Sequence, residues 1–198
     1  MSSLTALDRA KRIKVILFDV DGVLTDGKIF VIPTSEDASH AVEAKGFHAH
    51  DGLGISLARI SGMKIGAITK RVSNTVAIRC RDLKLEYVYQ GQSYKMKAVN
   101  EIIAKEGITL DQICYVGDDV IDLPVMRVCG LSIATANARD QVKACSHFTT
   151  AHAGGDGAGR DAIEFILAAK GVLEATIEAY LDEDNTAAAA ADIGHGGM

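Results

Sequence analysis

Acidic side chains follow two apolar runs of strand length in this sequence. Asp19 and Asp21 come directly after Val15–Phe18, and Asp118 and Asp119 come after a later run. Short continuous apolar runs of this kind are typical of strands buried on both faces of a parallel sheet. In an open parallel sheet, ligands bind beyond the carboxyl ends of the strands. We therefore expect these carboxylates to lie together at one edge of a sheet.

Such a group of carboxylates suits a divalent cation. Without one, Asp19, Asp118 and Asp119 would repel one another strongly in a desolvated site, and oxygen ligands are those that Mg²⁺ prefers. Thr69 follows another apolar run, and Lys95 opens a helical pattern. A hydroxyl, a loop amide and an ammonium group suit a phosphate. Together these residues predict phosphoryl transfer with bound Mg²⁺.

The two acids of the first loop are two residues apart in a tight turn, so they can face a substrate from different sides. In this interpretation Asp19 points at the phosphorus atom and Asp21 reaches the ester oxygen. Gly22 lets the backbone turn and bring a carbonyl group to the cation. An Asp-x-Asp-Gly segment alone is more typical of an ordinary turn. The other polar motifs, which follow in order along the chain, favour the catalytic interpretation.

Strand-length apolar runs alternate with segments of helical periodicity along most of the chain. We expect strands at residues 15–18, 64–68, 87–89, 113–116 and 130–134. We expect helices at residues 51–61, 74–83, 95–106, 122–128 and 161–181. A β-hairpin is predicted within residues 27–47, around the turn-rich segment 33–37. Strands separated by helices imply right-handed βαβ units, and hence an α/β fold with a doubly wound parallel sheet.

The composition excludes several classes of protein. With 48% hydrophobic and 24% charged residues the chain is globular, and its net charge of −5 argues against nucleic-acid and membrane-surface partners. The densest basic run, residues 11–14, leads straight into a strand pattern. The N-terminus is too polar for a signal peptide, and no apolar run is long enough to span a membrane. The four cysteines show no metal-binding spacing, so we expect reduced thiols and a cytoplasmic protein.

Two terminal segments differ from the rest of the chain. We expect residues 13–181 to form one domain, with residues 1–12 as an N-terminal extension. Residues 182–198 carry a short acidic run, five consecutive alanines and several glycines. Because such a segment offers little apolar surface to bury, we expect a disordered tail.

The motifs resemble those of a known superfamily. The segment Asp19-Val20-Asp21-Gly22-Val23-Leu24-Thr25 is similar to the first motif of the haloacid dehalogenase-like (HAD) hydrolases. Thr69, Lys95 and residues 117–122 stand where that superfamily has its second, third and fourth motifs. Further segments resemble the 3-deoxy-D-manno-octulosonate 8-phosphate phosphatase family. These segments are residues 51–55, 89–95, 115–119 and 122–126. The resemblance extends over about residues 13–181.

The resemblance implies a Mg²⁺-dependent phosphatase for a phosphorylated sugar acid, with 3-deoxy-D-manno-octulosonate 8-phosphate as the first choice. It implies that Asp19 is the nucleophile, which forms an aspartyl-phosphate, and that Asp21 is the general acid and base. Asp19, the backbone carbonyl of Asp21, and Asp118 would hold the Mg²⁺. Thr69 and Lys95 would bind the transferred phosphoryl group.

The same resemblance carries expectations about the surroundings of the site. Asp119 and Asp122 would orient the loop and its waters rather than bind the metal directly. No large cap domain is expected, because only the hairpin lies between the first motif and the helix that follows it. In the related family such hairpins assemble a homotetramer in which a neighbouring subunit helps to close each site, and the same is expected here.

Three positions differ from the family pattern and leave the substrate open. Lys70 stands where the family has glycine, while His50 and Asp156 stand where it has arginine. An aspartate would repel a substrate carboxylate that an arginine would hold. Lys70, Arg71 and Arg160 are the candidates for substrate binding in its place. A phosphatase for another acidic sugar phosphate, such as a nonulosonate 9-phosphate, is therefore the alternative.

Two other classes of protein share some of these features. Signalling receiver domains also combine acids, a threonine and a lysine on an α/β sheet, but their phosphorylated aspartate lies in mid-chain rather than after the first strand. A non-catalytic tetramerisation domain should lack the nucleophile or the acid, and this chain has both Asp19 and Asp21. The sequence favours the enzyme.

Overall fold

The computed structural model describes residues 4–37 and 40–191. Its strands form a central six-stranded sheet and a separate two-stranded hairpin. In chain order they are β1 (Val15–Phe18), β2 (Phe30–Pro33), β3 (Ala41–Ala44), β4 (Lys64–Ile68), β5 (Tyr87–Tyr89), β6 (Ile113–Gly117), β7 (Leu131–Ala134) and β8 (Phe148–Thr149). The central sheet has the order β5-β4-β1-β6-β7-β8, and all of its strand pairs are parallel. The predicted α/β fold with a doubly wound parallel sheet is confirmed.

Helices cover both faces of the central sheet. They are α1 (Ala6–Ala10), α2 (Ala49–Ile60), α3 (Asn74–Asp82), α4 (Lys95–Glu106), α5 (Leu123–Met126), α6 (Asp140–Cys145), α7 (Ala158–Ala169), α8 (Leu173–Leu181) and α9 (Thr186–Ala191). Side chains of β1 alternate between two cores: Ile16 and Phe18 pack on the side of α2 and α7, and Val15 and Leu17 pack on the side of α4, α5 and α6. A strand buried on both faces explains its unbroken apolar run.

The register of β1 brings three loops to one edge of the sheet. Phe18 pairs with Ala67 on one side and with Val116 on the other, so the loops that follow β1, β4 and β6 begin at nearly the same level. After β5 the chain crosses back through α4 to β6, on the far side of β1. This reversal creates the crevice in which doubly wound proteins bind ligands.

The hairpin lies within the predicted residues 27–47. β2 and β3 are antiparallel, from the pair Phe30–Ala44 to the pair Pro33–Ala41, and residues 38–39 of the connection lie outside the described part of the chain. Among the described residues this hairpin is all that separates the first loop from α2, so no large cap domain is present there. The hairpin presents apolar side chains to solvent, and Phe30 is 54% exposed.

The C-terminal third differs from its prediction. A single helix over 161–181 is wrong, because Gly171 has a φ of +72°, which ends α7 and lets the chain turn into α8. The sequence analysis also missed α1, α6 and the two-residue strand β8. A short helix, α9, occupies part of the segment that we expected to be disordered, while residues 192–198 lie outside the described residues. None of the helices within residues 4–37 and 40–191 is long and apolar enough to cross a membrane.

Candidate active site

Three carboxyl groups meet where β1 and β6 lie side by side. Asp19 follows β1, Asp118 follows β6, and Asp122 ends the helical turn after Asp118. One oxygen from each of the three lies within 4.8 Å of the others, and together they are called the acidic cluster here. Asp19 and Asp122 are buried and Asp118 is half-buried. The strand ends thus bring Asp19 and Asp118 together, as expected, but the third member of the cluster is Asp122 and not Asp119 or Asp21.

Gly22 lets the first loop pass close to the acidic cluster. Its φ is +90°, and a Cβ atom at this position would lie 2.1 Å from Oδ2 of Asp118. Both the backbone conformation and the space therefore require glycine. Its carbonyl oxygen accepts a hydrogen bond from Nδ2 of Asn137 at 3.0 Å, and Oδ1 of Asn137 in turn accepts one from the N–H of Gly154 at 2.6 Å. The glycine-rich loop that leads into α7, residues 154–159, supports the loop that follows β1 in this way.

Lys95, the first residue of α4, lies between two members of the acidic cluster. Its Nζ is 2.9 Å from Oδ1 of Asp19 and 2.7 Å from Oδ1 of Asp122. Asp122 also accepts a hydrogen bond from the hydroxyl of Tyr115 at 2.9 Å, and its other oxygen accepts the N–H groups of residues 118–119 at 3.0 and 3.3 Å. Both oxygens of Asp122 are therefore engaged by neighbouring groups of the chain.

Burial gives the other two carboxyl groups unusual acidities. It raises the pKa of Asp19 to about 6, against the attraction of the Lys95 ammonium group. Burial, with the negative charge of Asp19, raises the pKa of Asp118 to about 7. Oδ1 of Asp118 is buried and has no hydrogen-bond partner within the described chain. A divalent cation would satisfy this orphaned oxygen and relieve the repulsion, so the site fits Mg²⁺ held by Asp19 and Asp118.

Thr69 lies at the same edge, immediately after β4, which is the neighbour of β1. It is buried, its N–H donates to the carbonyl of Tyr89 at 2.9 Å, and its Oγ1 accepts the N–H of Arg71 at 3.3 Å. Within the described residues no acceptor takes the hydroxyl proton of Thr69. That proton is available for an oxygen of a bound phosphate.

A second set of charges joins the first loop to the hairpin. It is called the hairpin network here and consists of Asp21, Glu43, Lys45 and Arg71. Lys45 forms a short ion pair with Oδ1 of Asp21 and lies 3.7 Å from Oε1 of Glu43. Arg71 donates to Oε2 of Glu43 at 2.7 Å, and its Nε is 3.9 Å from Oδ2 of Asp21. The sequence analysis missed Glu43 and Lys45. The available signal was two opposite charges, two residues apart, in the otherwise uncharged segment 41–47.

Other predicted residues lie away from the acidic cluster. Lys70 is exposed, and Asp119 is exposed with its Oδ1 accepting the N–H of Val120. The N–H of Arg160 donates to Asp51, and its Nε donates to Glu164 at 2.5 Å. Within the described residues, the side chains of these three candidates make no hydrogen bond or ion pair with the cluster.

Comparisons with known proteins agree with this geometry. Residues 65–160 match the family model for haloacid dehalogenase-like hydrolases. The 3-deoxy-D-manno-octulosonate 8-phosphate phosphatase of Escherichia coli strain K12 is 37% identical over 172 residues, covering 87% of this chain and 88% of the relative. The chain belongs to this phosphatase family of HAD hydrolases. It is an HAD-type phosphatase, as the motifs predicted.

Solved structures of relatives extend the likeness to the whole fold of this phosphatase. The Moraxella catarrhalis 3-deoxy-D-manno-octulosonate 8-phosphate phosphatase, solved with a magnesium ion, a phosphate ion and a KDO molecule, is 35% identical with a TM-score of 0.82. That match covers 88% of this chain and 97% of the other. The Yersinia pestis enzyme of the same name is 36% identical with a TM-score of 0.80, covering 85% and 88% of the two chains.

Proposed function

We propose that this phosphatase hydrolyses 3-deoxy-D-manno-octulosonate 8-phosphate to the free sugar acid and inorganic phosphate, with Mg²⁺ as cofactor. The observation that carries the proposal is the acidic cluster with Lys95 between two of its members and one carboxylate oxygen of Asp118 left without a partner. The relatives named above support the choice of substrate, and the Moraxella catarrhalis structure holds magnesium, phosphate and KDO.

In the first step Asp19 acts as the nucleophile. Its Oδ1 is held by the N–H of Val20 at 2.7 Å and by Lys95, whereas its Oδ2 accepts no hydrogen bond from the described residues. A carboxylate oxygen of Asp19 attacks phosphorus, the bond from phosphorus to the sugar oxygen breaks, and Asp21 gives that oxygen a proton. Lys95 and the Thr69 hydroxyl hold the oxygens of the moving phosphoryl group.

In the second step the aspartyl-phosphate is hydrolysed. Asp21, now a carboxylate, takes a proton from water as the water attacks phosphorus. The bond from phosphorus to Asp19 breaks and releases inorganic phosphate. Asp19, Asp118 and the backbone carbonyl of Asp21 are the groups that would hold Mg²⁺, which supplies positive charge against the carboxylates and the phosphate. Asp122 keeps Lys95 and the loop at 118–119 in place.

A phosphatase for another acidic sugar phosphate is the second candidate. Asp156 lies in the glycine-rich loop with its side chain 71% exposed and 3.9 Å from His48. Arg71 and Arg160, the two arginines considered for the substrate carboxylate, are paired with Glu43 and Glu164. Both arginines are thus engaged, and Asp156 stands where the family has arginine, so the carboxylate contacts of the family are altered and another acidic sugar phosphate, such as a nonulosonate 9-phosphate, is the second candidate.

The exposed hairpin supports a homotetramer. Phe30, Ile32 and Val42 share one face of the hairpin, because paired positions of an antiparallel ladder point to the same side. Each of the three is more than half exposed, at 54%, 51% and 52%. A contiguous apolar face of this kind is typical of a subunit interface. We place the assembled enzyme in the cytoplasm, where its four free cysteines would stay reduced.

The experiment that tests the function measures phosphate release from purified enzyme with Mg²⁺. 3-Deoxy-D-manno-octulosonate 8-phosphate, a nonulosonate 9-phosphate and glucose 6-phosphate are compared by kcat/KM. We expect the first to be best by at least about tenfold, since differences of one binding group are worth that much. A higher value for the nonulosonate ester would establish the second candidate. No turnover of any ester would contradict both.

A further inference from the structure

The side chain of Lys45 is fully buried, although it carries a charge and comes from an exposed hairpin. Its relative side-chain exposure is 0%, and its ion pairs within the described residues go to Asp21 and Glu43 alone. A buried ammonium group is strongly unfavourable unless it is paired. None of the catalytic and binding roles proposed above involves Lys45.

Lys45 is itself held from the side opposite Asp21. Glu43 accepts hydrogen bonds from the Ser73 hydroxyl at 2.5 Å and from Arg71 at 2.7 Å. These bonds, with the nearby charge of Lys45, lower the pKa of Glu43, so it stays ionised. The Thr75 hydroxyl donates to the backbone carbonyl of Glu43 at 2.8 Å. The start of α3 therefore anchors Glu43, and Glu43 anchors Lys45.

Asp21 has few other partners. Within the described residues its side chain makes one hydrogen bond, to Lys45, and the next charge is Arg71 with Nε 3.9 Å from Oδ2. The orientation of the Asp21 carboxyl group therefore depends on a side chain from the hairpin.

We infer that Lys45 is a positioning residue: its ammonium group donates to Oδ1 of Asp21 and so orients Oδ2, which carries the proton that is transferred to the leaving oxygen. This inference rests on the acid–base role proposed above for Asp21. Lys45 makes no ion pair or hydrogen bond with Asp19, Thr69 or Lys95 among the described residues, and Lys95 already supplies a cation beside the nucleophile. The hairpin thus contributes to the chemistry of its own subunit.

Leaving groups of different quality separate this role from a structural one. A sugar alkoxide leaves poorly without a proton, whereas 2,4-dinitrophenolate needs none, so only the first reaction depends on a well-placed acid. The experiment compares kcat/KM, which reports the first phosphoryl transfer, for a sugar phosphate and for 2,4-dinitrophenyl phosphate. The variants are Lys45→Met, Lys45→Arg and Asp21→Asn, and the affinity for inorganic phosphate is measured as its inhibition constant.

We expect Lys45→Met to lower kcat/KM for the sugar phosphate by about 10- to 100-fold, part of what general acid catalysis supplies, and for the dinitrophenyl ester by less than about threefold. Inhibition by phosphate should stay unchanged, and Lys45→Arg should recover most of the loss. The double variant Lys45→Met/Asp21→Asn should have nearly the same kcat/KM for the sugar phosphate as Asp21→Asn alone, because the two residues act as one unit. Glu43→Gln, which keeps the buried ammonium group, should show the same selectivity with a smaller loss.

Lys28→Met is the matched control, because Lys28 also lies in the hairpin region and pairs with an aspartate but is 72% exposed. It should leave both reactions unchanged. Equal losses for both esters with weaker phosphate inhibition would make Lys45 a phosphate ligand and overturn the inference, as would full activity of the Lys45 and Glu43 variants. Full activity of Asp21→Asn on the sugar phosphate would instead refute the proposed acid–base role itself.

Discussion

The acidic cluster and the hairpin network hold their charged groups in different ways. The carboxylates of the acidic cluster extend from β1 and β6, whose register is set by backbone hydrogen bonds, and Asp122 is held by backbone N–H groups. The hairpin network depends on the long side chains of Lys45 and Arg71, which reach from one segment to another. The sheet thus positions Asp19, the proposed nucleophile, whereas an insertion orients Asp21, the proposed acid. Changes in the cluster should abolish the reaction, and changes in the hairpin should only weaken it.

The largest effect is expected from Asp19→Asn. The amide keeps the size of the side chain but lacks the negative charge that makes the carboxylate oxygen nucleophilic, so kcat should fall by at least about 10⁴-fold, as when other nucleophiles are removed. Phosphate release under saturating substrate and Mg²⁺ measures it. Asp111→Asn, at an exposed carboxylate outside both sets, is the control and should retain full activity. Substantial turnover by Asp19→Asn would mean that another group attacks phosphorus.

Gly22→Ala should have the next largest effect. The new Cβ atom would lie 2.1 Å from Oδ2 of Asp118 at a φ of +90°, so the loop or the carboxylate must move. We expect a loss of about 2–4 kcal/mol in the free energy of unfolding, from backbone strain and the clash together. Activity should fall by about 100-fold, because a small displacement of reacting groups is that costly.

Gly46→Ala is the hairpin counterpart of that substitution. A Cβ atom at Gly46 meets nothing within 4 Å, so the free energy of unfolding should change by less than about 0.5 kcal/mol. Urea unfolding of the two variants, with kcat measured in parallel, tests the contrast. Equal destabilisation would show that the loop at Gly22 is less constrained than its contacts indicate.

Asp118→Asn tests the charge repulsion within the acidic cluster. Burial raises the pKa of Asp118 from 3.8 to about 7, so ionisation destabilises the metal-free folded state. This loss of folding free energy is absent below about pH 4, where the carboxyl group is protonated in both the folded and the unfolded chain. It is complete above about pH 7, where the group is ionised in both. At pH 8 and without Mg²⁺, Asp118→Asn should therefore raise the free energy of unfolding by about 2 kcal/mol, after allowance for solvent screening.

The same variant should respond weakly to the cation. Mg²⁺ should raise the Tm of the unmodified enzyme at pH 8, because the cation binds the folded state only, and it should raise the Tm of Asp118→Asn much less. The Tm of the variant and of the unmodified enzyme is compared under four conditions, at pH 4.5 and at pH 8, each with EDTA or with Mg²⁺. A variant that is less stable than the unmodified chain at pH 8 without metal would contradict the repulsion argument.

The strands and site residues that the sequence predicted well are those that depend on local sequence patterns. The buried strands show unbroken apolar runs, and the site residues follow directly after them, as Asp19 follows Phe18 and Asp118 follows Gly117. Parallel pairing then brings these positions to one edge without further information. Gly22 was predicted for its turn, although its close approach to Asp118 required coordinates.

The parts that the sequence did not predict depend on distant contacts. Lys45 follows a strand in a mostly exposed hairpin, and nothing local shows that its ammonium group reaches Asp21, 24 positions earlier. The pairing of Arg160 with Glu164 is instead a local contact within α7, four residues apart, and it was missed because the predicted helix began at residue 161 rather than at Ala158. The break between α7 and α8 at Gly171 was visible in the sequence but was outweighed by the apolar periodicity on both sides of it.

The smallest effect on the folded subunit is expected from Ile32→Glu, on the apolar face of the hairpin. Ile32 is 51% exposed and pairs with Val42, so the charge meets no buried neighbour and does not face the hairpin network. The free energy of unfolding of the subunit should change by less than about 0.5 kcal/mol, as for most surface substitutions. Association should nevertheless fail, because a charge is buried without a partner when apolar faces meet. Sedimentation velocity should then show smaller species, whereas Val128→Glu, at a similarly exposed position outside the hairpin, should leave assembly unchanged. If Ile32→Glu leaves the assembly state unaltered, the apolar face of the hairpin is not part of the subunit interface. The proposed role of the hairpin is then limited to its network with Asp21.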